Sequence, residues 1–224
     1  MSGRDAILNK VRGALKTQGD DASRTALVAE RLSTAPKGII PARGQLPEAE
    51  RIALFSATAE KLSATVERVG TRDDVPKSVA AFLRQRNLPA SFRMGADSRL
   101  AAMPWQDERA LEIRQGASDG DDEVGLSHAV AAIAETGTLV MVSGNDNPTT
   151  INFLPEHHVV VVDAADIAGD LEQVLGDVRN SFGKGNMPRT LNLISGPSRS
   201  GDVEQTIILG AHGPRALHII VVGG

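Results

Sequence analysis

The chain has 224 residues, enough for one large domain whose core needs no disulfide or metal to hold it together. It contains no cysteine, so these residues offer no disulfide, no thiolate nucleophile and no thiolate ligand for zinc or an iron–sulfur cluster. The formal net charge is −4 and only 3% of the residues are aromatic, which argues against nucleic-acid binding because few side chains can stack on bases.

The two halves of the chain differ in charge. Residues 1–117 carry 19 basic and 14 acidic side chains, whereas residues 118–224 carry 5 basic and 14 acidic ones. Residues 1–10 are charged and lack the apolar centre of a signal peptide, and the longest apolar runs are too short to cross a bilayer. We therefore expect a cytoplasmic protein without a membrane span, whose charge difference lies on solvated surfaces.

The N-terminal part predicts a helical arm. Apolar side chains recur on one face of residues 4–16, as in an amphipathic helix: Ile7, Leu8, Val11 and Leu15. The polar stretch that follows is interrupted by prolines and glycines, which predicts a long connection. We therefore assign residues 1–46 to an N-terminal helix and connecting arm, and residues 47–224 to an α/β domain.

Helical and strand patterns alternate through this domain. Helices are predicted at 47–63, 73–86 and 167–182. Strands are predicted at 64–69, 90–94, 110–114, 138–143, 157–163, 190–195 and 217–222. Continuous β-branched runs between helices are typical of strands buried on both faces. The pattern predicts an α/β fold with a mainly parallel sheet and helices on both faces.

Three polar loops at strand ends are the candidate sites, because ligands of open α/β sheets bind outside the carboxyl ends of strands. The first loop holds Glu135, Thr136, Gly137 and Thr138. The second holds Ser143, Gly144 and Asn145. The third holds Gly196, Pro197, Ser198, Arg199, Asp202 and Glu204.

Glu135 is the candidate catalytic residue. It interrupts the apolar segment 129–134 just before a buried strand, where a carboxylate must be paired or have its pKa raised. It could act as a nucleophile, a general base or a ligand contact. It could equally be a solvated turn residue that accepts hydrogen bonds from the backbone around Thr136 and Thr138.

The third loop predicts an anion site. Its glycines permit close backbone approach, Ser198 supplies a hydroxyl, and Arg199 offers a planar fork for a phosphate or carboxylate. The loop lacks the Gly-Lys-Ser/Thr ending of a Walker A loop and the Gly-x-Ser-x-Gly elbow of a serine hydrolase. The alternative is a capped turn in which Asp202 serves as a helix N-cap.

The histidines do not predict a metal site. His157 and His158 are adjacent on a strand and face opposite sides, and no histidine pair has helical spacing. His212, in the turn at residues 210–214, is the best candidate for a site histidine. The chain also lacks a dinucleotide Gly-x-Gly-x-x-Gly fingerprint, so we expect no metal and no cofactor.

Two motifs carry a family resemblance. Residues 133–144 read Ile-Ala-Glu-Thr-Gly-Thr-Leu-Val-Met-Val-Ser-Gly, and Asn152-Phe-Leu-Pro-Glu-His157 precedes a valine strand. Residues 194–215 read Ile-Ser-Gly-Pro-Ser-Arg-Ser-Gly-Asp-Val-Glu-Gln-Thr-Ile-Ile-Leu-Gly-Ala-His-Gly-Pro-Arg. With the helix that begins near Arg4, these segments resemble the lactate utilization protein C family, which is built on the LUD domain.

The resemblance implies a fold like that of the ribose-phosphate isomerase, glucosamine-phosphate deaminase and CoA-transferase group. It also implies a role in bacterial oxidation of L-lactate to pyruvate, beside partner subunits that carry cysteine-rich and iron–sulfur modules. This chain would then be the accessory, cluster-free subunit, binding those partners, a small anionic metabolite, or both.

Two other functions stay open. CoA transferases use a glutamate in a Ser-Glu-Asn-Gly motif as nucleophile, and Glu135-Thr-Gly137 resembles it in part. That likeness implies a stand-alone acyl-CoA transferase or ligase. The third alternative is a ligand-sensing regulatory domain, which has the anion loop as its support.

Overall fold

The computed structural model describes residues 2–16, 21–183, 185–201 and 208–224. The chain divides into two compact units between Ile39 and Ile40. In the part that the structure describes, no helix is both long and apolar enough to cross a membrane.

The first unit holds two helices, α1 (Gly3–Leu15) and α2 (Ala22–Thr34). Helix α1 begins at a capping box formed by Ser2 and Asp5, and it occupies the predicted helical segment. Helix α2 lies in the stretch predicted to be a connection, which corrects that expectation. It begins at Asp21, whose carboxylate accepts hydrogen bonds from two backbone N–H groups. The signal for the start of this helix, Asp21 at the N-cap, was present in the sequence.

The second unit contains the remaining helices and all the described strands. The helices are α3 (Glu48–Lys61), α4 (Val75–Gln85), α5 (Ser98–Ala101), α6 (Thr149–Phe153) and α7 (Leu171–Phe182). The strands are β1 (Thr65–Val69), β2 (Ser91–Met94), β3 (Glu112–Gln115), β4 (Val124–His128), β5 (Ala131–Ile133), β6 (Thr138–Val142), β7 (His157–Asp163), β8 (Ile167–Ala168), β9 (Leu191–Ile194), β10 (Arg199–Ser200), β11 (Ile208–Leu209) and β12 (Ala216–Val222).

The main sheet has six strands in the order β1-β12-β7-β4-β2-β3, and every pairing in it is parallel. The central strands β7 and β12 are valine- and isoleucine-rich and almost entirely buried, as expected for strands covered on both faces. Helix α4 packs on one face and α3 on the other. The prediction of a mainly parallel sheet with helices on both faces is confirmed.

A second sheet, in the order β8-β5-β6-β9, covers part of the main sheet beside α3. Its pairings are mixed, because β6 runs antiparallel to both β5 and β9 while β8 runs parallel to β5. Helix α7 packs against this second sheet through Val174 and Val178. The helix predicted from residue 167 begins only at Leu171, because the Asp170 carboxylate caps it by accepting a hydrogen bond from the Gln173 N–H.

Residues 42–45 form a short turn that contacts the second sheet. The backbones of Gly44 and Gly169 approach so closely that a Cβ atom on either would meet the other's carbonyl oxygen. Beside them, Gln45 Nε2 donates a hydrogen bond of 2.8 Å to the Asp170 carboxylate. The segment just before α3 is therefore fixed to the body of the second unit.

Candidate ligand-binding site

A pocket of about 310 Å³ lies where the third loop meets the 212–214 turn. It sits at the carboxyl end of β9, as expected for that loop, but at the amino ends of β7 and β12, which contribute His158 and Leu217. Four of the predicted residues of the third loop line it: Gly196, Pro197, Ser198 and Arg199. His212, predicted separately, lines it as well.

The third loop and the turn are joined through Ser198. Its backbone N–H donates to Pro214 O at 2.8 Å, and its carbonyl accepts from the Gly210 N–H at 3.0 Å. The Ser198 hydroxyl accepts a longer hydrogen bond of 3.4 Å from the His212 N–H. Two residues that lie 14 positions apart in the chain thus share one wall of the pocket.

Three polar side chains from different elements form a buried chain of hydrogen bonds beside the pocket. The Ser127 hydroxyl, on β4, lies 3.0 Å from His158 Nε2 on β7 and 3.1 Å from Asn152 Oδ1 on α6. All three residues are at most 3% exposed, and His158 and Asn152 line the pocket. We call this set the Ser127 relay. Among the described residues, His158 Nδ1 and Asn152 Nδ2 have no hydrogen-bond partner.

His158 is neutral at physiological pH. Complete burial lowers its pKa to about 3, because the charged ring would lose its solvation. The imidazole therefore has one N–H and one bare nitrogen, so it can donate one hydrogen bond and accept one. At this position it contributes hydrogen bonding, not charge.

Arg199 extends toward the C-terminal end of α3. Its Nη2 group donates to the carbonyl oxygen of Leu62 and, at 2.6 Å, to the hydroxyl of Ser63. A guanidinium is favourable there because helix C-terminal carbonyls carry partial negative charge. None of the pocket-lining residues in the described ranges is an Asp or a Glu, so Arg199 supplies the formal charge of this lining.

The first loop meets the third loop through hydroxyl groups. Thr138 Oγ1 lies 2.8 Å from Thr136 Oγ1 and 2.6 Å from Ser195 Oγ, and Ser195 lines the pocket. Gly137 adopts φ +60° and packs against the backbone of α3 at Ala59. Thr138 is therefore the residue of the first loop that contacts the pocket wall, through Ser195.

Glu135 is placed away from the pocket lining. Its side chain is 7% exposed, and its Oε2 atom lies 3.4 Å from Arg43 Nε in an ion pair. Its backbone N–H donates to Gly169 O at 3.3 Å. The carboxylate therefore faces the turn before α3, and the structure does not bring it together with Arg199.

The second loop lies at another edge of the molecule. Ser143 exchanges hydrogen bonds with the Thr190 backbone, and Gly144 donates to Asn147 O. The Asn145 carbonyl accepts from the Ala96 N–H at 2.9 Å, at the carboxyl end of β2. None of these three residues lines the pocket. Asp202 and Glu204 of the third loop lie outside the described residues.

Ser127, Asn152 and His158 were not chosen from the sequence as site residues. His158 was interpreted as a structural histidine, and β4 was not predicted. A signal did exist, because Asn152 and His158 are polar residues on either side of the start of a valine-rich strand. Their convergence, however, depends on the pairing of β4 with β7, which no local pattern specifies.

Fold and pocket together define an α/β protein with a small pocket where the loop after β9 meets the amino ends of β7 and β12. The model of one family, described as LUD domain, matches residues 52–222. The chain belongs to the LUD domain family.

Curated relatives match over shorter stretches. Lactate utilization protein C of Bacillus subtilis (strain 168) is 32% identical over 119 residues, covering 52% of this chain and 49% of that protein. The protein of the same name from Halalkalibacterium halodurans is 30% identical over 119 residues, covering 52% and 51%. An uncharacterized protein of Neisseria meningitidis serogroup B is 33% identical over 127 residues, covering 57% and 53%. The chain spans about half the length of these relatives.

One solved structure shares the fold. The crystal structure of a duf162 family protein from Deinococcus radiodurans superposes with a TM-score of 0.59 at 20% identity. The match covers 80% of this chain and 99% of that one. At this identity the likeness shows the fold alone.

Proposed function

We propose that this chain is an accessory subunit that supports bacterial lactate utilisation by binding a small carboxylate in the pocket beside Ser198 and His212. The observation that carries the proposal is the pocket itself. Its described lining combines apolar side chains with polar ones, is free of carboxylates and holds Arg199. An anion is the ligand that such a lining favours, since it meets donors and no like charge.

Two further observations support the role. The chain shares its LUD domain with proteins named for lactate utilization. Its 224 residues contain no cysteine, so they supply no thiolate ligand for an iron–sulfur cluster. Electron transfer in lactate oxidation would then belong to iron–sulfur and cysteine-rich partner subunits.

Ligand binding is tested by isothermal titration with L-lactate, acetate and inorganic phosphate. Arg199→Ala should weaken binding of a carboxylate by about tenfold or more, because it removes the charged fork of the pocket. Arg114→Ala is the matched control, since Arg114 lies on the edge strand β3 and pairs with Glu112 outside the pocket. Equal affinities for the two variants, or no binding to the wild-type protein, would contradict the proposal.

The accessory role is tested by enzymology. The purified chain alone should show no lactate-dependent dye reduction, and it should co-elute in gel filtration with purified iron–sulfur lactate-utilisation subunits. Lactate turnover by this chain without partners would refute the role.

A transferase that uses Glu135 is the second candidate. It is favoured by the burial of the carboxylate, whose Oε2 atom accepts no hydrogen bond from the described residues. Incubation with an acyl-CoA and hydroxylamine should then convert Glu135 to a hydroxamate, which mass spectrometry detects. Absence of that adduct with a panel of acyl-CoA donors removes this candidate.

A further inference from the structure

The two helices of the first unit expose apolar side chains that helices of globular proteins normally bury. Ile7 on α1 is 66% exposed and Leu32 on α2 is 74% exposed. Neither helix contains a buried residue. Most helices in proteins owe their stability to the packing of an apolar face, so these two faces are suited to contact with another molecule.

Both helices carry the same side-chain pattern close to their beginnings. Helix α1 has Arg4-Asp-Ala-Ile-Leu8, and helix α2 has Arg24-Thr-Ala-Leu-Val28. Residues three and four positions after an arginine lie on the same face of a helix as that arginine. Each helix therefore presents one guanidinium beside two aliphatic side chains, and this combination occurs twice in the first unit.

The charges on these faces indicate the chemistry of their partner. Arg31 adds a second guanidinium to the apolar face of α2, three positions after Val28. Among the described residues, neither Arg4 nor Arg31 forms an ion pair with a carboxylate. Residues 1–39 carry seven basic and four acidic side chains, a net charge of +3. An apolar groove edged by carboxylates would match both the aliphatic side chains and the arginines.

Other occupants fit these faces less well. If the helices of two copies of the chain packed face to face, arginine would lie against arginine. Helices that lie on membranes keep their basic residues on the polar face and often insert aromatic side chains. Here Arg24 and Arg31 lie within the apolar face of α2, and residues 1–39 contain no aromatic residue. The faces therefore favour an acidic protein partner.

We propose that α1 and α2 are a paired docking element for an iron–sulfur partner subunit, in which each helix lies in an apolar groove edged by carboxylates. The proposal rests on the accessory function above and names the surface of this chain that the partner contacts. Helix-in-groove binding uses apolar residues at i, i+3 and i+7, which is the spacing of Leu8, Val11 and Leu15. Because the two helices are linked, binding of the first makes binding of the second intramolecular and strengthens the complex.

The experiment measures the affinity of the full chain for purified iron–sulfur lactate-utilisation subunits by isothermal titration. Leu8→Gln on α1 and Leu27→Gln on α2 should each weaken binding by about tenfold or more. Ala29→Gln is the matched control, since Ala29 is exposed on the other side of α2. Neither helix supplies a buried residue, so all variants should keep the wild-type thermal midpoint, and a loss of binding is not a loss of folding.

Unchanged affinity in either leucine variant overturns the paired docking element while leaving the accessory function intact. Failure of the wild-type chain to bind the subunits overturns both.

Charge reversal separates docking from general electrostatic attraction. Arg4→Glu and Lys10→Glu change the charge of α1 equally, but only Arg4 lies on the face of Ile7 and Leu8. Arg4→Glu should therefore weaken partner binding by about threefold or more relative to Lys10→Glu, and equal losses contradict the proposal. Sedimentation of the chain alone, and with vesicles of phosphatidylcholine and phosphatidylserine, tests the other occupants. Self-association or vesicle binding that Leu8→Gln abolishes would assign these faces to a second copy or to a membrane and overturn the inference.

Discussion

Individual buried side chains make the stability of this protein depend on pH. His218 is 6% exposed, and its ring stacks on Phe82 with centroids 4.5 Å apart. Burial lowers its pKa to about 4, and Arg86 contributes to the lowering, while the Glu67 carboxylate acts in the opposite direction. The unfolded chain, with ordinary histidines, therefore binds a proton at a higher pH than the folded one does.

The sign of the effect follows from this difference. Stability from the neutral His218 ring is fully present above pH 6.5 and is lost as the pH falls toward 4, by about 1.4 kcal/mol for each pH unit. We expect urea denaturation to show that the wild-type protein loses about 2 kcal/mol more than His218→Gln between pH 7 and pH 5. His212→Gln is the control because His212 is exposed. Parallel losses in all three proteins would contradict the prediction.

Glu135 provides a second test at the residue scale. Its partner Arg43 is 65% exposed, so solvent screens the ion pair and its coupling energy should be about 1 kcal/mol or less. A double-mutant cycle of Glu135→Gln and Arg43→Gln, measured by urea denaturation, gives that energy. Glu135→Gln should also leave the affinity for carboxylates unchanged, since Glu135 does not line the pocket. A large loss of affinity would show that Glu135 contributes to ligand binding.

The sequence predicted that Glu135, beside an apolar run and a buried strand, must either be paired or have its pKa raised, and the structure pairs it with Arg43. The sequence could not supply that partner. Arg43 lies 92 positions away in a segment interpreted as a connection, and the close approach of Gly44 and Gly169 with the Gln45–Asp170 hydrogen bond holds that segment against the second sheet. The grouping of Ser198 with His212 was equally absent from local pattern, although the sequence showed that both residues lie in polar loops.

At the scale of elements, the periodicity of apolar residues predicted helices and strands correctly where buried side chains recur at regular intervals. The strand predicted at 157–163 and the helix predicted at 47–63 match β7 and α3 closely, because long runs of one pattern leave few alternatives. Strand β4 was missed because Val-Gly-Leu-Ser-His is short and contains only two large apolar residues, a pattern too weak to distinguish a strand from a loop. The division into two sheets was also beyond prediction, because antiparallel pairing of β6 with β9 joins segments about fifty residues apart.

The contact between the first loop and α3 can be tested by replacing glycine with alanine. Gly137 has φ +60°, and a Cβ atom there would lie 2.7 Å from Ala59 N, so Gly137→Ala should cost more than about 2 kcal/mol. Gly176→Ala is the matched control. Gly176 lies inside α7 with open space around its Cβ position, and alanine should stabilise the protein there by about 0.5–1 kcal/mol. Urea denaturation measures both. Equal effects would contradict the placement of the loop on α3.

At the scale of the whole molecule, the hydrophobic core belongs to the second unit. Every buried residue of the three apolar clusters lies between Ile52 and Val222, which is also the range that the LUD domain model matches. Helices α1 and α2 contain no buried residue. The fold and the pocket should therefore depend on the second unit alone.

Two truncations locate the beginning of that unit. A chain starting at residue 40 keeps the turn before α3, with the Gly44–Gly169 approach, the Gln45–Asp170 hydrogen bond and the Arg43–Glu135 pair. It should unfold within a few degrees of the full chain and bind carboxylates equally well. A chain starting at residue 47, the boundary that the sequence predicts, loses all three contacts; Glu135 then lacks its ion-pair partner, and Asp170 keeps only its hydrogen bond from the Gln173 N–H.

The shorter chain should be less stable by about 2–3 kcal/mol, since one hydrogen bond to a charged group and one screened ion pair contribute about that much together. Thermal and urea denaturation of the two truncations measure the difference. Gln45→Ala in the longer truncation should reproduce part of the loss, which separates the hydrogen bond from the general effect of a shorter chain. If both truncations unfold at the same midpoint, the turn adds nothing to the domain, and Glu135 and Asp170 are solvated without it.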